Sequence, residues 1–244
     1  MIQWVWLLGG GCGSEPPPVD SPPSTAPETT DPTDPTDPTD PTDPTPPDSG
    51  TTEPGPVDCP PVTDATRAAI VTDIDETLTT SDNEWLTQLV NPFHDPAMRP
   101  DADTMMQTYV DKGYRIFYVT ARGELLTLLD GRSAREATED WLDEHGFPYT
   151  EDGVFLANGL GAQGDAAVDY KVDVITELQG FGFEMVYAYG NADSDILAFQ
   201  ESGIVDTNIF LVGELAGTMG VVGITTAEAY TDHLPFVDAQ PCGW

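Results

Sequence analysis

From Pro61 onward, short apolar runs alternate with amphipathic stretches of helical period, and few architectures accept that alternation. Five runs have strand length: Ala68–Asp73, Arg115–Val119, Val154–Ala157, Glu184–Tyr189 and Asn208–Val212. Between them, Met105, Met106, Tyr109 and Val110 recur at helical spacing, as do Ala134, Ala137, Trp141 and Leu142. Tyr170, Val174, Ile175, Leu178 and Phe181 mark a third helix, and Ile196–Phe199 lies in a fourth. Strand–helix alternation predicts an α/β, Rossmann-like fold: a parallel sheet of about five strands, helices on both faces and right-handed crossovers. Function in such sheets gathers at the carboxyl ends of the strands.

The chain before this region cannot build a core. From Glu15 to Pro61 it is almost wholly Pro, Thr, Asp, Ser, Glu and Gly, with Asp-Pro-Thr repeated five times from Asp31. Such a composition favours extended polyproline-type conformers and reads as a spacer. Ile2–Leu8 is apolar and is followed by Gly9-Gly10-Gly11-Cys12, which resembles a bacterial lipoprotein signal with Cys12 as the lipid acceptor. The expected organisation is a signal over 1–12, a tether over 13–61 and a folded domain over 62–244, held at the bacterial cell envelope or surface, lipid-anchored or secreted. No later run approaches the length of a membrane span.

Charge narrows the partners. The 43 acids outnumber the 8 bases, and every base lies beyond residue 60, so the folded part is itself strongly acidic. That balance repels polyanions and argues against nucleic acid as a partner. Cys59 and Cys242 flank the folded part; a disulfide between them and two free surface thiols are both compatible with the sequence. The three histidines and three cysteines are scattered without zinc-ligand spacing.

Four polar clusters follow predicted strands or open a helix: Asp73-Ile74-Asp75-Glu76-Thr77, Thr120-Ala121-Arg122, Lys171, and Gly190-Asn191-Ala192-Asp193-Ser194-Asp195. Residues two apart on an extended segment point the same way, so Asp73 and Asp75 repel unless a cation or proton intervenes. With Asn191 and Asp195 near, the oxygen-rich set suits Mg²⁺, which uses few carboxylates and keeps several waters. One carboxylate could then attack phosphorus while Lys171 offsets the charge, and the other could serve as general acid. Asp193 reads as a helix N-cap, and Arg122 as either a phosphate contact or a structural salt bridge.

In order and spacing these segments resemble motifs one to four of the haloacid dehalogenase superfamily of phosphohydrolases. Within it, Ile70–Asp75, Gly113–Arg122 and Tyr189–Asp195 are most similar to the lipin-type phosphatidate phosphatases and to the related C-terminal domain of phosphatidylinositol transfer proteins. The resemblance, over about residues 66 to 215, implies Asp73 as the nucleophile that becomes aspartyl-phosphate and Asp75 as acid and base, lending its backbone carbonyl to Mg²⁺. It implies catalytic roles for Thr120 and Lys171, substrate contacts from Thr77, Thr120, Ala121 and Arg122, and a metal shell of Asp73, Asp75, Asn191 and Asp195.

This sequence departs from the lipin pattern at Glu76, where that pattern has glycine; Asp-x-Asp-Glu-Thr also resembles secreted bacterial acid phosphatases. Between Thr77 and Met105 there is room for a small flap with Trp85, Phe93 and His94 but not for a large cap, so a nearly open crevice is expected. The expected activity is Mg²⁺-dependent phosphomonoester hydrolysis, on phosphatidate or another lipid phosphate. The alternatives are a surface-displayed module that binds phosphorylated lipid without hydrolysis, and a broad-specificity secreted acid phosphatase. Natural substrate, oligomeric state and the role of residues 216–244 are not legible in the sequence.

Overall fold

The computed structural model describes residues 58–225 and 229–243. The expected signal, Cys12 and most of the 13–61 tether lie outside the described residues. Six strands form one all-parallel sheet in the order β3-β2-β1-β4-β5-β6, one strand more than expected. They are β1 (Ala68–Thr72), β2 (Arg115–Gly123), β3 (Val154–Ala157), β4 (Glu184–Gly190), β5 (Ile209–Leu211) and the two-residue β6 (Val222–Gly223). The helices are α1 (Asn83–Val90), α2 (Ala102–Asp111), α3 (Ala134–Glu144), α4 (Asp165–Gly180), α5 (Asp193–Glu201) and α6 (Ala229–Asp238).

Alternation along each strand divides the core into two layers. On one face Ala68, Ile70, Ile116, Tyr118 and Tyr189 pack against α2, α3 and α6, with Met105, Trp141 and Tyr230 among the buried side chains. On the other, Ala69, Val71, Phe117, Val119 and Ala188 meet α4 and α5 through Ile175, Leu178, Ile196 and Phe199. Because β1 is covered on both faces, all five of its residues are buried, which is why it reads as a continuous apolar run.

The chain moves outward from β1 to β2 and β3, then returns across the sheet to β4 on the other side of β1. The loops after β1 and β4 therefore diverge, and a crevice opens between them at the carboxyl ends, the usual ligand position in open α/β sheets. The small flap expected after Thr77 is α1 with its flanking loops, joined back to the domain by the bridge between Thr79 and Met98.

Residues 216–243 complete the domain. They supply β6 and α6, and Cys242 is disulfide-bonded to Cys59 with Cα atoms 5.4 Å apart. Among the described residues, no helix is long and apolar enough to cross a membrane.

Candidate active site

Asp73 is the first residue past β1, and its amide donates to the Tyr189 carbonyl at 3.0 Å, pinning the β1 loop to β4. Lys171 comes from the first half of α4 on the face turned to the sheet, where only 3% of it is exposed. Its Nζ lies 2.9 Å from Asp73 Oδ1 and 2.5 Å from Asp195 Oδ1. Residues 73, 171 and 195 thus meet at one ammonium, as the motif reading requires.

Asp195 has no spare oxygen. Its Oδ2 accepts from the amides of Asn191 and Ala192, both at 3.0 Å, which caps the start of α5, while Oδ1 receives Lys171. The N-cap position belongs to Ala192 and Asp193 is the first helical residue, so the capping role expected of Asp193 falls to Asp195. Gly190 must be glycine here: a Cβ would lie 2.5–2.8 Å from the Asp195 side chain. Asp195 is wholly buried and holds Lys171, so of the two ways expected for it to complete a metal shell, directly or through water, its bonding favours the second.

Of the two readings open for Arg122, the structure shows the salt bridge. Its guanidinium grips Asp75, with Nε 3.0 Å from Oδ2 and Nη2 2.8 Å from Oδ1. Nη1 donates to Thr138 at 2.9 Å, and the group stacks 4.3 Å over the Trp85 ring. With so many partners and 3% exposure, Arg122 orients Asp75 rather than waiting free for a phosphate. Thr120 is fully buried and donates to Asp75 Oδ2 at 3.2 Å, so it too serves the carboxylate instead of the expected phosphoryl contact. Ala121 does line the cavity. Thr138, one turn along an ordinary amphipathic helix, gave no signal in the sequence.

Thr77 sits between the two halves of the site, its hydroxyl 3.3 Å from Asp73 Oδ2 and 3.0 Å from Asn191 Oδ1. Burial pushes the Asp73 carboxyl up to about 7, and Asp195 and Asp75 push the same way against the pull of Lys171. Burial opposes the charge on Lys171, but Asp195 and Asp73 outweigh it and raise its pKa. Three carboxylates with two cations leave the centre net negative, so a further cation is electrostatically welcome.

The crevice above this centre is a cavity of about 680 Å³. Asp73, Asp75, Lys171 and Asn191 line it together with an apolar set, Trp85, Leu86, Leu89, Leu126 and Leu160. Asp82 also lines it, a residue the sequence reading did not single out.

The donor set fits a metal that takes few side-chain ligands. Among the described residues no three acidic, His or Cys side chains are grouped to hold an ion by themselves. With the Asp75 carboxylate taken by Arg122, the side-chain oxygens left to an ion are Asp73 Oδ2 and Asn191 Oδ1, each now near the Thr77 hydroxyl, and the resemblance adds the Asp75 backbone carbonyl. Hard oxygen donors with a single carboxylate suit Mg²⁺ completed by water and substrate.

The family model described as the LNS2 domain of PITM 1-3 matches residues 70–213, from β1 to just past β5. The chain belongs to the LNS2 domain family. Membrane-associated phosphatidylinositol transfer protein 3 of Mus musculus is 26% identical over 146 residues, covering 60% of this chain and 14% of that protein. Protein retinal degeneration B of Drosophila melanogaster is 24% identical over 146 residues, covering 59% of this chain and 10% of its own length. The match to these long relatives is therefore confined to a small part of each. Among solved structures, D,D-heptose 1,7-bisphosphate phosphatase from B. bronchiseptica, complexed with magnesium and phosphate, aligns with a TM-score of 0.46 and 14% identity, over 70% of this chain and 98% of that one. The segments that resemble the haloacid dehalogenase motifs, from Asp73 to Asp195, all lie within the matched residues.

Proposed function

We propose that this LNS2 domain is a Mg²⁺-dependent phosphomonoester hydrolase acting through an aspartyl-phosphate on Asp73. The observation that carries the reading is the single buried ammonium of Lys171 shared by Asp73 and Asp195, because it presents a carboxylate nucleophile with its charge already offset. Asp73 attacks phosphorus; its O–P bond forms as the ester P–O bond breaks. Asp75, held by Arg122 and Thr120, gives a proton to the departing oxygen, then takes one from the water that cleaves the acyl phosphate and frees Asp73. Asp73, Asn191 Oδ1 and the Asp75 carbonyl would hold Mg²⁺, which supplies a Lewis acid that draws charge from the phosphoryl oxygens.

A lipid phosphate is the substrate class we favour. Support comes from the apolar wall of Trp85, Leu86, Leu126 and Leu160 beside the carboxylates, with Leu86 and Leu160 57% and 75% exposed. The relatives named for phosphatidylinositol transfer at membranes point the same way. We place the chain outside the cytoplasm, in keeping with the Cys59–Cys242 bridge; acylation of Cys12 should be visible in the mass of the mature chain.

The test is phosphate release from phosphatidate, other phosphomonoesters and nucleotides, with Mg²⁺ and after chelation. Activity should vanish on chelation, return with Mg²⁺, and be lost in Asp73→Asn with an unchanged unfolding midpoint. Unaltered turnover in Asp73→Asn overturns the mechanism. Ligand retained without release would instead favour a binding module.

A further inference from the structure

Glu76 stands in a backbone conformation that resists it. Its φ of 56° lies in the left-handed region, where a residue with a Cβ is disfavoured and glycine is not. The loop holds that conformation through the backbone: the Glu76 amide donates to Thr79 Oγ1 at 2.9 Å, and its carbonyl accepts from Arg99 Nη2 at 2.8 Å and Nε at 3.1 Å. A glycine at 76 would keep all of these bonds and lose the strain, so the backbone gives no reason for glutamate.

The side chain gives one. Glu76 Oε2 accepts from Asn191 Nδ2 at 3.3 Å, reaching from the β1 loop to the β4 loop. A carboxylate only accepts hydrogen bonds, so it forces the amide nitrogen of Asn191 toward itself. The Asn191 Oδ1 is then turned to the other side, 3.0 Å from the Thr77 hydroxyl that also neighbours Asp73 Oδ2. That is also the side of Asp73, the carboxylate with which Asn191 would share a cation.

We propose that Glu76 is a positioning residue for the cation: it locks the amide of Asn191 so that Oδ1, not Nδ2, faces the metal position. This rests on the reading of Asp73 and Asn191 as Mg²⁺ donors. Partners that orient a metal ligand commonly govern about 10- to 100-fold in affinity, and the partly exposed Glu76 belongs at the lower end.

The experiment is calorimetric Mg²⁺ binding with urea denaturation on the full chain, for wild type, Glu76→Gly and Glu76→Gln. Glu76→Gly should bind Mg²⁺ about tenfold more weakly while its denaturation midpoint stays level or rises. Glu76→Gln, able to donate as well as accept, should weaken binding in the same direction, because it no longer dictates which way Asn191 points. Wild-type affinity in Glu76→Gly overturns the proposal. So does a fall in stability in both variants, since the carboxylate would then be holding the loop together and not Asn191. A wild-type chain that binds no Mg²⁺ overturns the reading of the site on which the proposal rests, whereas a wild type that binds with unaffected variants removes the role of Glu76 alone.

Discussion

At the scale of single residues, the buried carboxylates of the site depend on one cation. Lys171 is the only cation on Asp73 and Asp195 among the described residues, and all three are buried. Lys171→Met should cost about 3–5 kcal/mol in urea denaturation, because two carboxylates are left buried without a partner. Arg122 has a different signature. Arg122→Lys keeps the charge but loses the two-pronged grip on Asp75 and the Thr138 bond; kcat should fall about tenfold with KM nearly unchanged, checked by steady-state kinetics on a soluble phosphomonoester. The sequence named both residues and could not say what they touch. A Thr-Ala-Arg segment at the end of a strand is equally compatible with gripping a phosphate or a neighbouring carboxylate. That choice depends on Thr138 and Trp85, which approach from two other elements.

At the scale of elements, local signals were strongest where a helix carries its own punctuation. α3 opens with Ser133, whose hydroxyl accepts from the Glu136 amide at 3.1 Å while Glu136 returns a bond to the Ser133 amide at 2.8 Å. Ser133→Ala should cost about 1 kcal/mol in chemical denaturation with the cavity intact. α6, in contrast, carries Pro235 and a His and lies in the stretch whose role the sequence did not disclose. It is held by tertiary packing: Tyr230 is fully buried, and His233 shares a hydrogen bond with Tyr189 at 3.0 Å. Burial pushes the His233 imidazole down to about 4 from its ordinary 6.5. The unfolded chain takes up this proton as pH falls past about 6.5 while the native state refuses it until about 4, so stability is lost across that window and levels off below it. Comparing wild type with His233→Gln by denaturation at pH 7 and pH 4.5 should show a smaller acid loss in the variant, by about 1 kcal/mol after allowance for partial exposure.

At the scale of the whole molecule, a domain with this excess of acid is closed at its ends by one covalent bond. The Cys59–Cys242 bridge spans 183 residues, and Gly243 donates to the Lys112 carbonyl at 2.8 Å beside it. Cross-linking so long a loop restricts the unfolded chain, and Cys59→Ser with Cys242→Ser should lower stability by about 2–5 kcal/mol, as should reductant on the wild type. The sequence by itself determined the class of fold and the four segments of the site, because apolar periodicity and the motif spacing are local properties that survive without any knowledge of neighbours. It also names Asp73, Lys171 and Asp195 as parts of one site. Only the tertiary structure decided that Asp195 spends both oxygens on Lys171 and the α5 amides, that Arg122 and Thr120 serve Asp75, that Cys59 meets Cys242, and that Glu76 occupies a left-handed position opposite Asn191. Each of these is a hydrogen bond or a closure between segments far apart in the chain, and which donor meets which acceptor is set by how the sheet brings strand ends together rather than by the residues on either side.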